Sequence, residues 1–283
     1  MYNLNNEEEL SLKKIALQVR KKVIRMIKAG KSGHVGGAMS AADILTALYF
    51  NIMRVNPEDP AWRERDRLVL SAGHKCLALY AVLAEKGFFD ESILDTYGSL
   101  KSRLPGHPDM HKIPGIESNT GALGHGLSIA GGMAAGLKMD GLASKVYVIM
   151  GDGELAEGSN WEAAAAASHH SLDNILVFVD RNTLQIGGRT TEVMTYEPLN
   201  LRWESFGWSV REIDGHDMKQ IVKNAADIPF KKGKPSVIIA NTVKSKGLSF
   251  AEDRADYHYW KADDEKLEQA DRDLTEIERS LGL

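Results

Sequence analysis

The sequence predicts an α/β fold, a mostly parallel sheet flanked by helices, and three observations carry that expectation. Residues 146–150 (VYVIM), 175–179 (ILVFV) and 236–241 (SVIIAN) are unbroken apolar, β-branched runs of strand length, the pattern of strands buried on both faces. Segments with helical spacing separate them, so strand and helix alternate along the chain. A crossover between parallel strands is right-handed in almost every case. Asp152 and Asn182, which follow the first two runs, therefore fall just beyond the carboxyl ends of parallel strands, the edge at which open α/β sheets bind ligands.

Taken in order, residues 10–29 space Leu12, Ile15, Ala16, Val19, Val23, Ile24 and Ile27 at helical intervals among lysines and arginines, which predicts a surface helix stopped by Gly30. Residues 32–37 (SGHVGG) read as a loop, after which Ser40 and Asp43 open a second helix to about residue 53. Residues 66–71 read as a short strand ending in Ala72-Gly73-His74, and residues 77–86 as a helix. Pro105 and Pro108 bracket His107 in a rigid turn that presents the imidazole from a fixed backbone. Residues 127–138 are helical and rich in glycine and alanine. Ser159 stands three residues before Glu162, the spacing of a reciprocal helix cap, and the alanines at 163–167 extend that helix. Residues 208–213 and 236–241 add two strands, the second of buried, central type, and Leu267, Ala270, Leu274, Ile277 and Leu281 mark one face of a final helix. The expected organisation is a single domain over residues 1–283 with this carboxy-terminal helix.

Composition narrows the possible partners. A formal charge of −4 with mixed signs provides no basic stripe for nucleic acid and no polybasic segment for a membrane surface. The single cysteine, Cys76, cannot close an internal disulfide, and the polar, acidic amino terminus does not read as a signal peptide, so a cytoplasmic location is expected. No apolar run is expected to approach the length of a bilayer span.

The loops offer specific chemistry. Asp152 supplies a carboxylate oxygen, Asn182 an amide oxygen, and the chain at Thr183-Leu184 can turn a backbone carbonyl inward, three hard donors that suit Mg²⁺. Mg²⁺ commonly completes its shell with phosphate oxygens and water, so an incomplete protein shell implies a phosphorylated ligand. Gly151 and Gly153 let backbone amides approach such a group beside a helix start. Gly-Asp-Gly alone is equally a plain turn; Asn182 after a second strand gives it weight. The glycines around Leu123 form a second loop able to cradle an anion, without the G-x-G-x-x-G spacing of dinucleotide binders. On spacing alone His34 and His74 also read as loop or capping histidines, and His258 has a packing reading among Tyr257, Tyr259 and Trp260 as its alternative.

The stretch GDGELAEG…WEA…DRNTL resembles the thiamine-diphosphate-binding motif, and together with SGH, AGH and PGHP the pattern from Ser32 to His258 is similar to the transketolase family. The likeness covers only the first of the three domains of a full-length transketolase. It implies a thiamine-diphosphate-binding fold in which Asp152, Asn182 and the carbonyl of Leu184 hold the Mg²⁺ that bridges the cofactor diphosphate. By the same resemblance His74, Gly121, Leu123, Gly124, Gly151, Gly153 and Glu154 join Asp152, Asn182 and Leu184 in binding the cofactor. His34, His74, His107 and His258 then line the channel and contact the donor sugar's hydroxyls. The implied reaction moves a two-carbon ketol unit from a ketose to an aldose. The implied partner is a second subunit carrying the pyrimidine-binding and carboxy-terminal domains, in an α₂β₂ assembly. His125 departs from the glutamine found in many members, which leaves its role open. Glu157 and Glu162 resemble interface glutamates, and Glu162 equally fits the helix cap. His111, His169 and His170 match no family position and read as surface or packing residues.

Three rivals compete. The α subunit of a 2-oxo-acid dehydrogenase first component shares the Gly-Asp-Gly to Asn signature but not SGH and PGHP. A non-catalytic thiamine-diphosphate-binding module would keep the metal loops without needing four histidines. A nicotinamide dehydrogenase would require a strand followed by G-x-G-x-x-G, which is absent. The sugars are not specified: a sugar phosphate and a related anionic sugar fit equally.

Overall fold

The computed structural model describes residues 3–283; Met1 and Tyr2, the start of the polar amino terminus, lie outside the described residues. Five parallel strands form the central sheet: β1 (Arg67–Leu70), β2 (Val146–Gly151), β3 (Ile175–Arg181), β4 (Ser209–Asp214) and β5 (Ser236–Asn241). Their order is β1-β2-β3-β5-β4. The register sets Gly151 opposite Asp180 and Asp180 opposite Ala240, so β2, β3 and β5 end level with one another.

Alternation along these strands divides the core in two. Tyr147, Ile149, Leu176, Phe178 and Ile238 face a cluster closed by α1 (Asn6–Gly30), α2 (Val35–Ala47), α3 (Cys76–Lys86), a helix at Met218–Ala225 and the final helix at Asp264–Ser280. Val146, Val148, Met150, Val177, Val179, Val237 and Ile239 face a second cluster under α4 (Gly126–Met139), α5 (Gly158–His169) and the helix Leu199–Ser205. With helices on both faces, every residue of β2 is buried, which is why its sequence is continuously apolar.

Four local expectations need correction. The first helix begins at Asn6 behind a capping box in which Asn5 and Glu8 bond each other's backbone N–H at 2.9 Å. It is not a one-faced surface helix, because Leu12, Leu17, Val23, Met26, Arg20 and Lys22 are all buried. Second, Ser32–Gly33 is no loop; it pairs antiparallel with Trp260–Lys261, and α2 starts at Val35. Gly36 and Gly37 lie inside this helix, and two buried lysines run past them too closely for a side chain. A Cβ on Gly36 would lie 3.0 Å from Lys244 Cγ, and one on Gly37 2.9 Å from Lys75 Cγ.

Third, α5 begins at Gly158, and the anticipated cap does not form. The Ser159 hydroxyl donates instead to the Gly124 carbonyl at 2.8 Å, and Glu162 faces solvent. Fourth, α2 and the π-helical turn Leu48–Ile52 together make an apolar stretch, Val35–Ile52, of mean hydropathy 1.2, long enough to cross a bilayer. It is 83 % buried against the protein's own core, which accounts for its composition.

Candidate active site

The carboxyl ends of β2, β3 and β5 open into a cavity of ≈ 400 Å³ lined by residues from eight separate segments. Its floor is charged and almost fully hydrogen-bonded. Asp152 is 8 % exposed; its Oδ1 accepts from Gly153 N (2.9 Å) and its Oδ2 from Thr183 N (2.6 Å). Asn182, also buried, accepts from Leu184 N at 3.2 Å. Thr183 between them has φ +64°, a left-handed conformation that costs a β-branched residue about 1–3 kcal/mol and folds the chain back so that both neighbours face the same loop.

Two buried lysines enter this floor, and their sequence context alone assigns neither a role. Lys75 bonds Asp180 Oδ2 at 2.5 Å, and Asp180, fully buried at the end of β3, also accepts from Ser40 Oγ (2.6 Å) and Thr242 Oγ1. Lys244 Nζ lies 3.0 Å from the Leu184 carbonyl oxygen and 3.1 Å from His258 Nδ1. Burial, and then the charge of Lys75, bring its ammonium down to about 8. Burial and the neighbouring Asp180 push Asp152 up to about 6. A carboxylate that resists ionisation in its dry pocket is a site that gains from a bound cation.

The donor set itself answers whether Mg²⁺ fits. Asp152 carboxylate, Asn182 amide oxygen and Leu184 carbonyl are hard oxygens with lone pairs beyond those already engaged, and among the described residues no cluster of three His, Cys, Asp or Glu offers a softer site. These residues fit a magnesium ion whose remaining ligands are phosphate oxygens and water.

Above the floor, the structure brings the four predicted histidines together. The His34 ring centroid lies 5.6 Å from that of His74, 5.9 Å from His107, 5.5 Å from His258 and 4.9 Å from Tyr259; His74 and His258 are 5.2 Å apart. His34 therefore has far more side-chain cover than its glycine-rich sequence implies. Burial first, then neighbouring positive charge, lowers His34 to about 4 and His258 to about 3, and shifts His74 in the same direction. All three are neutral near pH 7, so each ring offers one donor and one acceptor to a hydroxyl group.

His107 is exposed, and its proline-bracketed turn is anchored by Tyr80, whose hydroxyl bonds the carbonyls of Pro105 (2.8 Å) and His107 (3.0 Å). The turn is far in sequence from the loop at Asp152 but close in space to the one at Gly121. The ring packs on Gly121, where a Cβ would approach His107 Cδ2 to 2.8 Å.

Gly121, Leu123, Gly151, Gly153, Asp152, Asn182 and Leu184 all line the cavity as expected. Gly124 does not; its N–H donates to Glu154 and its carbonyl accepts from Ser159. Glu154 lines the cavity, but its oxygens accept from Ser71 Oγ (2.5 Å), Gly124 N (3.0 Å) and Gly151 N (3.2 Å), so it ties loops together. Burial pushes its carboxyl up. His125 occupies the N-cap position of α4 at the surface without a side-chain cap, its Nδ1 3.1 Å from the Leu123 carbonyl, and Glu157, Glu162, His111, His169 and His170 are exposed. A readable signal for the missed residues existed: Asp180 ends an apolar strand, and Lys75 directly follows a strand-end histidine.

The family model described as transketolase, thiamine diphosphate binding domain, matches residues 11–275, which makes this chain a thiamine-diphosphate-binding domain of the α/β class. The chain belongs to the transketolase family. It is 46 % identical over 257 residues to one of the subunits of the apulose-4-phosphate transketolase of Phocaeicola vulgatus, covering 91 % of each chain. It is 44 % identical over 269 residues to the 6-deoxy-6-sulfo-D-fructose transketolase subunit SqwG of Clostridium sp., covering 95 % of this chain and 98 % of that one. The structure superposes on transketolase from Campylobacter jejuni with a TM-score of 0.87 at 33 % identity, covering 96 % of this chain and 43 % of that one. The chain thus spans less than half the length of that solved transketolase.

Proposed function

We propose that this chain is the diphosphate-binding subunit of a split transketolase that transfers a two-carbon ketol unit from an anionic ketose to an aldose, using thiamine diphosphate and Mg²⁺. One observation carries the reading: four imidazoles converge directly over a floor that pairs three hard oxygen donors with the buried ammonium of Lys244. Two relatives that match over nearly their whole length are named as subunits of transketolases, which supports a partner for this chain as well.

In this reading Asp152, Asn182 and the Leu184 carbonyl hold the metal, and Lys244 faces the diphosphate. Gly121, Gly151 and Gly153 admit it closely. When bound, the cofactor's thiazolium carries out carbon–carbon cleavage and carries the two-carbon unit. The protein's part is to bind, orient and move protons. His34, His74, His107 and His258 grip sugar hydroxyls, each neutral ring able to pass a proton, an effect typically of ~10²–10⁴-fold. The partner subunit covers the open side of the cavity, where Ile186 is 77 % exposed beside its mouth, and excludes water from the reacting carbon. The names of the relatives, a phosphorylated sugar in one and a sulfonated sugar in the other, support an anionic donor.

The test combines binding and turnover. Calorimetry should show Asp152→Ala weakening Mg²⁺-dependent thiamine diphosphate binding by at least ~100-fold, since outer-shell changes alone cost 10–100-fold. Unchanged affinity would remove the metal assignment. The chain as the only protein should give no ketol transfer; turnover at ~1 s⁻¹ or more, an ordinary enzymatic rate, would overturn the split-subunit reading.

A further inference from the structure

Lys244 lies on the segment that follows β5, a turn in which Lys246 N donates to the Val243 carbonyl at 3.2 Å and Asp253 N to the Lys244 carbonyl at 3.0 Å. Ser245 sits at φ +63°, a left-handed conformation costing about 1–3 kcal/mol in a residue with a side chain. Its hydroxyl is buried without a partner. The backbone is also gripped from outside, first by Ser245 N donating to the Gly36 carbonyl at 2.9 Å. Val243 N donates to His216 Nε2 at 2.9 Å, on one side of Lys244. On the other side the Lys246 carbonyl accepts from Arg20 Nε at 3.2 Å. These two anchors are not independent, because Asp43 joins them. It takes Arg20 Nη1 and Nη2 at 2.9 and 2.6 Å and faces His216 Nδ1 at 2.7 Å.

The network fixes the histidine's tautomer. Nε2 accepts the Val243 N–H, so the ring proton resides on Nδ1 and is donated to Asp43. Arg20 and Asp43 are 7 % and 6 % exposed, and Arg20 Nη2 also donates to the Met39 carbonyl at 3.2 Å. A buried ion pair contributes little net stability compared with apolar residues of the same volume, but it holds direction well. None of the three residues lines the site cavity. They line a separate cavity of ≈ 370 Å³ on the opposite side of the same segment, beside Leu17, Lys246 and Ile277.

We propose that Arg20, Asp43 and His216 form a positioning triad for the cofactor site, clamping the backbone on both sides of Lys244 so that its ammonium is aimed at the diphosphate position. The triad touches neither substrate nor cofactor and acts only through Lys244. The proposal rests on the cofactor reading given above.

A double-mutant cycle on the full chain tests it, with thiamine diphosphate and MgCl₂ titrated by calorimetry. His216→Ala should weaken binding by ~10-fold, the lower end of what outer-shell groups contribute at such sites, while the thermal midpoint shows the chain still folded. His216→Gln, which retains an acceptor for the Val243 N–H, should recover most of that loss. Lys244→Met should weaken binding at least as much as His216→Ala, and adding His216→Ala to it should change little, because two groups acting through one contact are not additive. If His216→Ala does not fold, Asp43→Asn closes the same cycle with an isosteric side chain. Additive losses would overturn the positioning role and leave the cofactor reading standing. Unchanged affinity in Lys244→Met would instead remove the lysine from the cofactor site, and the triad's role with it.

Discussion

The floor and the rim of this cavity are built on opposite rules. On the floor, Asp152, Asp180, Asn182, Lys75 and Lys244 are all buried and each is tied to at least one protein partner within 3.2 Å. On the rim, the His258 ring has one hydrogen-bond partner, Lys244, and among the described residues the rings of His34, His74 and His107 make no hydrogen bond at all. A saturated polar group is a fixed structural part, whereas an unsatisfied one facing a cavity has capacity left for a ligand. The contrast teaches a division of labour: the floor is preorganised to hold one thing permanently, and the rim is left free to exchange partners during a reaction.

The sharpest test of this contrast is Lys75→Met. It leaves the fully buried Asp180 without its cation and should cost ~3–5 kcal/mol of stability, as for other broken buried pairs, read from urea denaturation. Full stability in that variant would break the comparison from the floor side. Next comes His107→Ala. Turnover in the assembled enzyme should fall ~10²-fold or more, with the urea midpoint nearly unchanged; because the ring packs on Gly121, a matching loss of thiamine diphosphate affinity would move His107 from rim to floor.

A smaller effect concerns acid. Burial holds His34 near 4 and His258 near 3, below the ordinary 6.5, so the unfolded chain takes up protons before the folded one does. Stability from this source is complete above pH ~6.5 and declines as pH falls from there toward ~4 for His34 and ~3 for His258. A His34→Asn/His258→Asn double variant should show a shallower decline of the urea midpoint between pH 7 and 5, and an identical slope would show that the rim does not titrate in this way. The smallest expected change is Ser159→Ala, which removes one hydrogen bond to Gly124 for ~1 kcal/mol. A much larger loss would mean that this serine also anchors the glycine loop at Gly121.

Much of the floor was legible in the sequence because its carriers are buried strands. The runs leading to Gly151, Asp180 and Asn241 are apolar along their middles, so the strands and the placement of Asp152 and Asn182 at their carboxyl ends followed from pattern alone. The rim was named by resemblance, since spacing left His34, His74 and His258 ambiguous. What stayed hidden depended on contacts between distant segments. Gly36 and Gly37 read as loop residues because glycine usually is one; the lysine stems crossing them explain why helical positions carry no side chain there. Ser159 and Glu162 had the spacing of a cap, but a carbonyl thirty-five residues earlier in the chain takes the hydroxyl. Nothing in the local pattern around Lys75 and Lys244 marks them as buried, and only the fold encloses them.

Glu154 adds a dynamic consequence. Its one carboxylate receives an amide from each of the two glycine loops, Gly124 from one and Gly151 from the other, together with the Ser71 hydroxyl at the end of β1. Neither loop can open without releasing a charge-bearing group that also secures the other, so the two should loosen together as one local unfolding unit. Amide hydrogen exchange at Gly124 and Gly151 would then proceed with the same opening free energy, and in Glu154→Gln both would quicken in step.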